Sequence, residues 1–336
     1  MSFKTALAGL LALAIATPAL AKDKIQLACS SSGLMFGVPY VAKQLGFFDE
    51  AGLDVDVYDA NGGGNAVAAV AGGSAQIGLV GYKNMSLAVL KGQPLKAIGT
   101  GARGFPQDVV VRPDLISEAK LSSASPLADK VGLLRKRIIA VNEIGGSSGE
   151  FARFLLRGAG IADGDTTVIN ITAPDGRLSA LKAKRIDAFI DSSPLIELAV
   201  AGGYGVDFIH TAQDLPNLTK FEYLVEAVRA DYLKAHPDIV TRYLTALQKA
   251  LDVIQREPAK AQKAVFAYLA DQASSEIDYP QQIQDQAWAA TEPYFPKTIL
   301  LDPDGLKAAH AFFGISDTLA DADLTDSTIA ASIAPH

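Results

Sequence analysis

A short apolar run, a turn rich in glycine or serine and an amphipathic run follow one another at the start of this chain, and the same order restarts in its middle. Such a grammar restricts the fold to alternating strands and helices around largely parallel sheets. "KIQLACS" alternates Ile25, Leu27 and Cys29, and after the loop "SSGLMFG" Pro39 opens a helical run that stops at Gly46. "LDVDVYDA" sets Leu53, Val55 and Val57 against Asp54 and Asp56, a strand with one wet face. The turn "NGGGN" follows, with Asn65 placed to cap the helix "AVAAVAGG", and then come the buried strand "AQIGLVG", the helix "MSLAVLKG" and the strand "LKAIGTGA". The second passage runs "RIIAVNE", a GGSSG turn, the helix "EFARFLLRGAG", the strand "TTVINIT", the helix "GRLSALKAKR" and the strand "IDAFIDSS". Two α/β lobes built alike and facing each other are the expectation. From Ala230 onward the chain reads as amphipathic helices, and its last acidic segment as loosely attached.

The opening residues point to export. Lys4 precedes the apolar run "ALAGLLALAIA", which ends at the A-x-A triplet Ala19-Leu20-Ala21, so residues 1–21 read as a secretory signal peptide and the mature chain starts near Lys22. A single cysteine then means no internal disulfide, and stability has to come from a core. Cys29 reads as a buried, inert thiol. Losing the leader, whose one charge is Lys4, moves the formal net charge from −7 to −8. That balance argues against nucleic acid as a partner. No later stretch reaches membrane-spanning length without charges, which makes the mature chain a soluble periplasmic protein in this reading.

The turns carry the chemistry. Gly145 to Gly149 spells G-x-S-x-G between a strand and a helix, the pattern of a hydrolase nucleophile elbow with Ser147 as nucleophile. His210 is the candidate base and Asp187 or Asp191 the candidate acid, but little strand remains after Arg229 to complete a hydrolase sheet. The competing reading needs no base: "CSSSG", "NGGGN", "EIGGSSG" and the turn from Asp191 to Pro194 each lie at the carboxyl end of a strand, where α/β sheets bind ligands and helix N-termini attract anions. The chain has no cysteine and histidine cluster for zinc, no third glycine for a dinucleotide turn in "GGGNAV" and no P-loop lysine, so no cofactor and no metal are expected.

The stretches "PYVAKQLGFFDEAGLDVDV", "GGGNAVAAVAGGSAQIGLVG", "RIIAVNEIGGSSGEFARFLLRGAGI", "RLSALKAKRIDAFIDSS" and "YLVEAVRADYLKAHPDIVTRYLTAL", in that order, resemble the periplasmic solute-binding proteins of the nitrate, sulfonate and taurine type, a group that includes binders of thiamine pyrimidine precursors. The resemblance implies a type II periplasmic-binding-protein fold: lobe one from 24–105 and 206–336, lobe two from 106–205, a cleft between them and two crossings as a hinge. It also implies a monomer that delivers a small molecule to an ABC permease in the inner membrane. The ligand positions it implies are Ser31, Ser32, Phe36, Gly64, Asn65, Gly81 and Tyr82 in lobe one and Gly146, Ser147, Ser148, Asp191 and Ser192 in lobe two.

Each of these residues also has a plainer use. Gly64 and Gly146 suit turn geometry, Asn65 a cap, and Phe36 and Tyr82 a core. Serine-rich helix starts suit a sulfonate, nitrate or carboxylate, whereas Phe36, Tyr82 and Asp191 suit a neutral heterocycle such as a pyrimidine precursor or a flavin. Arg103, near the expected crossing, suits either an anionic group or the surface. The chain departs from the resemblance at "VGLLRKRIIAV", where a leucine and glycine pair is usual, and it lacks the cysteines of a related enzymatic branch.

Overall fold

The computed structural model describes residues 21–162, 164–272, 279–315 and 324–333. Residues 1–20 lie outside the described residues, and with them nearly all of the expected signal peptide. Ten strands are described: β1 (Asp23–Cys29), β2 (Leu53–Asp59), β3 (Ile77–Gly81), β4 (Leu95–Arg103), β5 (Asp108–Val111), β6 (Ile138–Val141), β7 (Thr167–Asn170), β8 (Ala188–Asp191), β9 (Val206–Ile209) and β10 (Glu222–Arg229). They form two five-stranded sheets, ordered β2-β1-β3-β10-β4 and β7-β6-β8-β5-β9.

In each sheet a single strand runs against its neighbours. β10 is antiparallel to β3 and β4, and β5 is antiparallel to β8 and β9. Each of the two enters its sheet directly after the chain has crossed from the other, so it arrives from the opposite direction. The fold is therefore a two-lobed α/β periplasmic-binding-protein fold. Because β9 pairs with β5, the return to the first sheet comes after Ile209, later than the Val206 read from the sequence. The strand "DVVV" of β5 is hidden from a local reading, since its four residues are all buried and alternate nothing.

The burial follows the patterns that predicted it. In β2, Leu53, Val55 and Val57 are buried while Asp54 and Asp56 face water. The long helix Pro237–Arg256 buries Val240, Tyr243, Leu244, Leu247, Leu251 and Ile254, a stripe at three- and four-residue spacing that packs against the first lobe. Each such aliphatic side chain contributes about 1.5–3 kcal/mol. Cys29 is buried too, and burial pushes its thiol up, which keeps it protonated and inert.

The acidic tail differs from expectation. Within its described part, Leu324 and Ala330 are buried, Thr325 bridges to Ala97 of β4, and the Asp326 N–H donates to the Ala97 carbonyl at 2.9 Å. Two apolar anchors and a strand-like bridge hold this segment to the first lobe, a tie that its polar composition conceals. No helix among the described residues is long and apolar enough to cross a membrane.

The two crossings are tied to each other. Gly104 N–H donates to Phe221 O at 2.7 Å and Phe105 N–H to Leu218 O at 2.8 Å. Gly104 has φ +76°, and a Cβ there would lie 2.8 Å from Thr219 O, so glycine is required where the two segments touch. Phe105 then packs its fully buried ring against Phe151, Phe221, Tyr223 and Phe312, joining both crossings to the helix of the second lobe. Arg103, at the end of β4 beside the first crossing, is held within the protein: its Nε donates to the buried Glu222 at 3.0 Å and its guanidinium also to Leu300 O.

Candidate functional site

The carboxyl ends of β1, β3, β6 and β8 converge on a cleft between the lobes. Of the residues implied by the sequence, Ser31, Ser32, Phe36 and Gly81 line it from the first lobe, and Ser147, Ser148, Asp191 and Ser192 from the second. Tyr82, Gly64, Asn65 and Gly146 do not line it. Tyr82 is fully buried, stacks on His310 and shares a 2.6 Å hydrogen bond with its Nε2, so it belongs to the core. Asn65 is no N-cap, because the helix starts at Gly63, with Gly62 at the cap. Its carboxamide instead donates back to Asn61 O at 3.0 Å, and Gly64 presents its N–H to a carboxylate of the facing lobe. Gly146 caps the helix Ser147–Gly158 from outside the cleft wall.

The last glycine of G-x-S-x-G has a steric cause. A Cβ on Gly149 would sit 2.0 Å from Ile144 O, closer than atoms approach, whereas one on Gly145 meets nothing within 4 Å. Gly149 is what allows the helix to start directly over the preceding turn. Ser148 is buried and turned inward, donating to the Asn142 carboxamide and to Glu143 O, so its hydroxyl braces the turn. Ser147 faces the cleft and the Tyr223 phenol, whose acidity burial suppresses, with the Asp191 carboxylate adding to that and the Ser147 hydroxyl opposing it. No histidine is among the cleft-lining residues that are described. His210, the candidate base, pairs with Asp108 instead, its Nδ1 3.4 Å from Oδ2.

Residues missed by the sequence reading complete the walls: Ser30, Met35, Gly63, Asn84, Gln107, Asn142, Glu143, Tyr223 and Leu224. Asn142 and Glu143 follow β6 directly, and the rule that ligands meet strand ends would have found them. Gln107 lies in the first crossing and Tyr223 on the antiparallel β10, and no local pattern marks either. The cleft holds about 50 Å³ of free volume, in a measure where one water needs roughly 10–15 Å³.

Its electrostatics are those of an acceptor-lined site. Among the described residues, the charged ones on the walls are Glu143 and Asp191, with no lysine or arginine. Asp191 is compensated from behind: Arg177, 1% exposed, donates to Oδ2 from Nε at 2.7 Å and also from Nη2, while its Nη1 serves Ile171 O and Thr172 O. Its other oxygen, Oδ1, takes the Ser192 N–H at 2.8 Å. Gln107 is 6% exposed, and its side-chain oxygen has no hydrogen-bond partner. A buried acceptor without a donor costs about 1–3 kcal/mol, so this one is a feature to be explained by what enters the cleft.

Asp108, Asp207 and His210 each bring a ligand atom within 4.8 Å of the others, the geometry of a cation site. The Asp108 carboxylate raises the basicity of His210 against the burial that opposes it, while burial and Asp108 together raise Asp207. The raised basicity of His210 beside the Asp108 carboxylate also fits an internal ion pair among these groups.

Residues 35–261, more than half of the chain, match the family model described as NMT1/THI5 like. The chain belongs to that family. Solved structures with this fold match the chain over most of its length. A protein from Bordetella bronchiseptica RB50 is 22% identical with a TM-score of 0.76, covering 93% of this chain and 97% of that one. The periplasmic nitrate-binding protein NrtA from Synechocystis is 14% identical with a TM-score of 0.68, covering 93% and 88%. The alkanesulfonate-binding protein SsuA from Xanthomonas axonopodis pv. citri, bound to MOPS, is 17% identical with a TM-score of 0.66, covering 94% and 99%. At these identities the likeness to the NMT1/THI5-like chain is one of fold. No curated protein matches it significantly.

Proposed function

We propose that this protein is the substrate-binding component of an ABC-type importer, exported to the periplasm, where it works as a monomer. Lobe one comprises residues 24–105 and the chain after Ile209, lobe two the interval between, and the crossings are the hinge. A small molecule enters the cleft, contacts from both walls favour closure, and the closed form meets the permease. No bond is made or broken in this reading, which the lack of an imidazole beside Ser147 among the described cleft residues supports over hydrolysis.

The ligand we propose is a small, uncharged, single-ring molecule that carries N–H donors. The observation that carries this reading is the buried side-chain amide of Gln107 on the cleft wall, whose oxygen finds no partner within the protein and is open to a ligand's donor. Glu143 and Asp191 on the same walls disfavour an anion, and Phe36 offers a ring an apolar face. Ser147 at a helix N-terminus favours the second reading, a nitrate or sulfonate. A thermal-shift screen of the chain from Lys22 separates the two, since a ligand that binds only the folded state raises Tm. Aminopyrimidines, imidazoles and other N–H heterocycles are expected to raise it, and nitrate, taurine and alkanesulfonates to leave it unmoved. A shift with the anions alone reverses the assignment.

A further inference from the structure

The first-lobe turn "NGGGN" opens the ten-residue helix Gly63–Gly72, whose first N–H groups face the cleft and need acceptors. Those acceptors come from the other lobe. Glu143, at the end of β6, places Oε2 2.8 Å from Gly63 N and Oε1 3.3 Å from Gly64 N. The fit depends on missing side chains. A Cβ on Gly64 would lie 3.1 Å from Glu143 Oε1, and one on Gly146 2.8 Å from its Oε2. Three glycines from two lobes, Gly63, Gly64 and Gly146, thus surround one carboxylate.

We propose that Glu143 is the latch of the closed cleft: its carboxylate reaches across from lobe two and serves the helix start of lobe one, holding the lobes together without a ligand. The proposal rests on the two-lobed receptor reading and adds to it a residue that sets the closing equilibrium. A carboxylate receiving two backbone N–H groups at a helix N-terminus is a charge-assisted contact favoured by the helix dipole, and it exists only while the lobes touch. A neighbouring tie works in the same sense. Lys83 of lobe one, almost fully buried, donates to Glu150 of lobe two at 2.9 Å. Burial alone would raise the Glu150 carboxyl, but Lys83 and Arg153 overcome it and hold it below the usual carboxylate range. The latch lies beside the ligand space and leaves the Gln107 oxygen free, so closure and ligand capture use separate acceptors.

The test is small-angle X-ray scattering of the ligand-free chain from Lys22, with profiles resolved into open and closed fractions, for the wild type, Glu143→Ala and Glu143→Gln. Circular dichroism confirms that each variant is folded. The closed-to-open ratio is expected to fall about tenfold in Glu143→Ala, the effect of one charge-assisted hydrogen bond, and about threefold in Glu143→Gln, which keeps the shape and loses the charge. If Glu143→Ala does not fold, Glu143→Gln alone is read. An unchanged ratio in whichever variant folds overturns the latch. Because no ligand is added, the result is independent of the ligand screen: a failed screen with a tenfold loss of closure removes the assigned ligand class and leaves the latch standing.

Discussion

Two acids, one half-buried on the cleft wall and one in the core, show how single residues are set to different ends in this fold. Asp191 stands on the cleft wall with Arg177 behind it, and such a pair costs about 3–5 kcal/mol when one partner is removed, so its carboxylate is an anchored acceptor and not a free charge. Glu226, on β10 in the core of lobe one, has no cation. Burial pushes its carboxyl up to about 8, against the opposing hydrogen bond from Tyr243, at 2.9 Å to Oε2. The folded state therefore holds a proton that the unfolded chain releases near the ordinary glutamate range. That contribution is full below pH about 4.5, declines by up to about 1.4 kcal/mol per pH unit, and is lost as the pH rises through about 8. Glu226→Gln is expected to remove this slope, so that the variant gains on the wild type steadily from pH 5 to pH 8 in chemical denaturation. Parallel stability curves over that range would contradict the assignment. Residues of this kind were only partly legible beforehand. Ser31, Ser147 and Asp191 announce themselves by standing at strand ends, whereas the role of Glu143 depends on a lobe eighty residues away in the chain.

At the scale of elements, the turn between β6 and the helix Ser147–Gly158 decides how lobe two presents its wall. Its sequence suggested a nucleophile elbow, but packing requires its last glycine, since Gly149 admits the Ile144 carbonyl, and the neighbouring Ser148 braces Asn142. Gly149→Ala is expected to destabilise the protein by about 1–3 kcal/mol or more, because backbone atoms and not flexible side chains meet the new methyl group. Gly145→Ala, which meets nothing within 4 Å, is expected to stay within about 0.5 kcal/mol of the wild type. Urea denaturation of the two variants side by side checks this, and equal effects would contradict it. The strand and helix order was legible because each element carries its own periodicity, as Leu53, Val55 and Val57 do in β2. β5 was not, because a strand buried on both faces alternates nothing. The start of the Gly63–Gly72 helix was misplaced at Asn65 for a related reason: its acceptor is supplied by Glu143 and not by a local cap.

Over the whole molecule, each of two similar sheets takes in one antiparallel strand where the chain crosses over, and the two crossings are tied together at Gly104 and Phe105, where we place the hinge. Gln107 lies directly beyond that hinge and at the cleft, with an oxygen that the protein leaves unpaired. A ligand donor reaching it would join ligand capture to the crossing that we propose as the hinge. Calorimetric titration of the best N–H heterocycle from the screen into the wild type and Gln107→Leu tests this most directly, together with the Tm of both proteins without ligand. The account requires one ligand per chain, recovered chemically unchanged, an affinity at least about tenfold weaker in Gln107→Leu, and a ligand-free Tm equal to or above that of the wild type, since the variant no longer buries an unsatisfied acceptor. Undiminished affinity in Gln107→Leu, or conversion of the ligand, would contradict it.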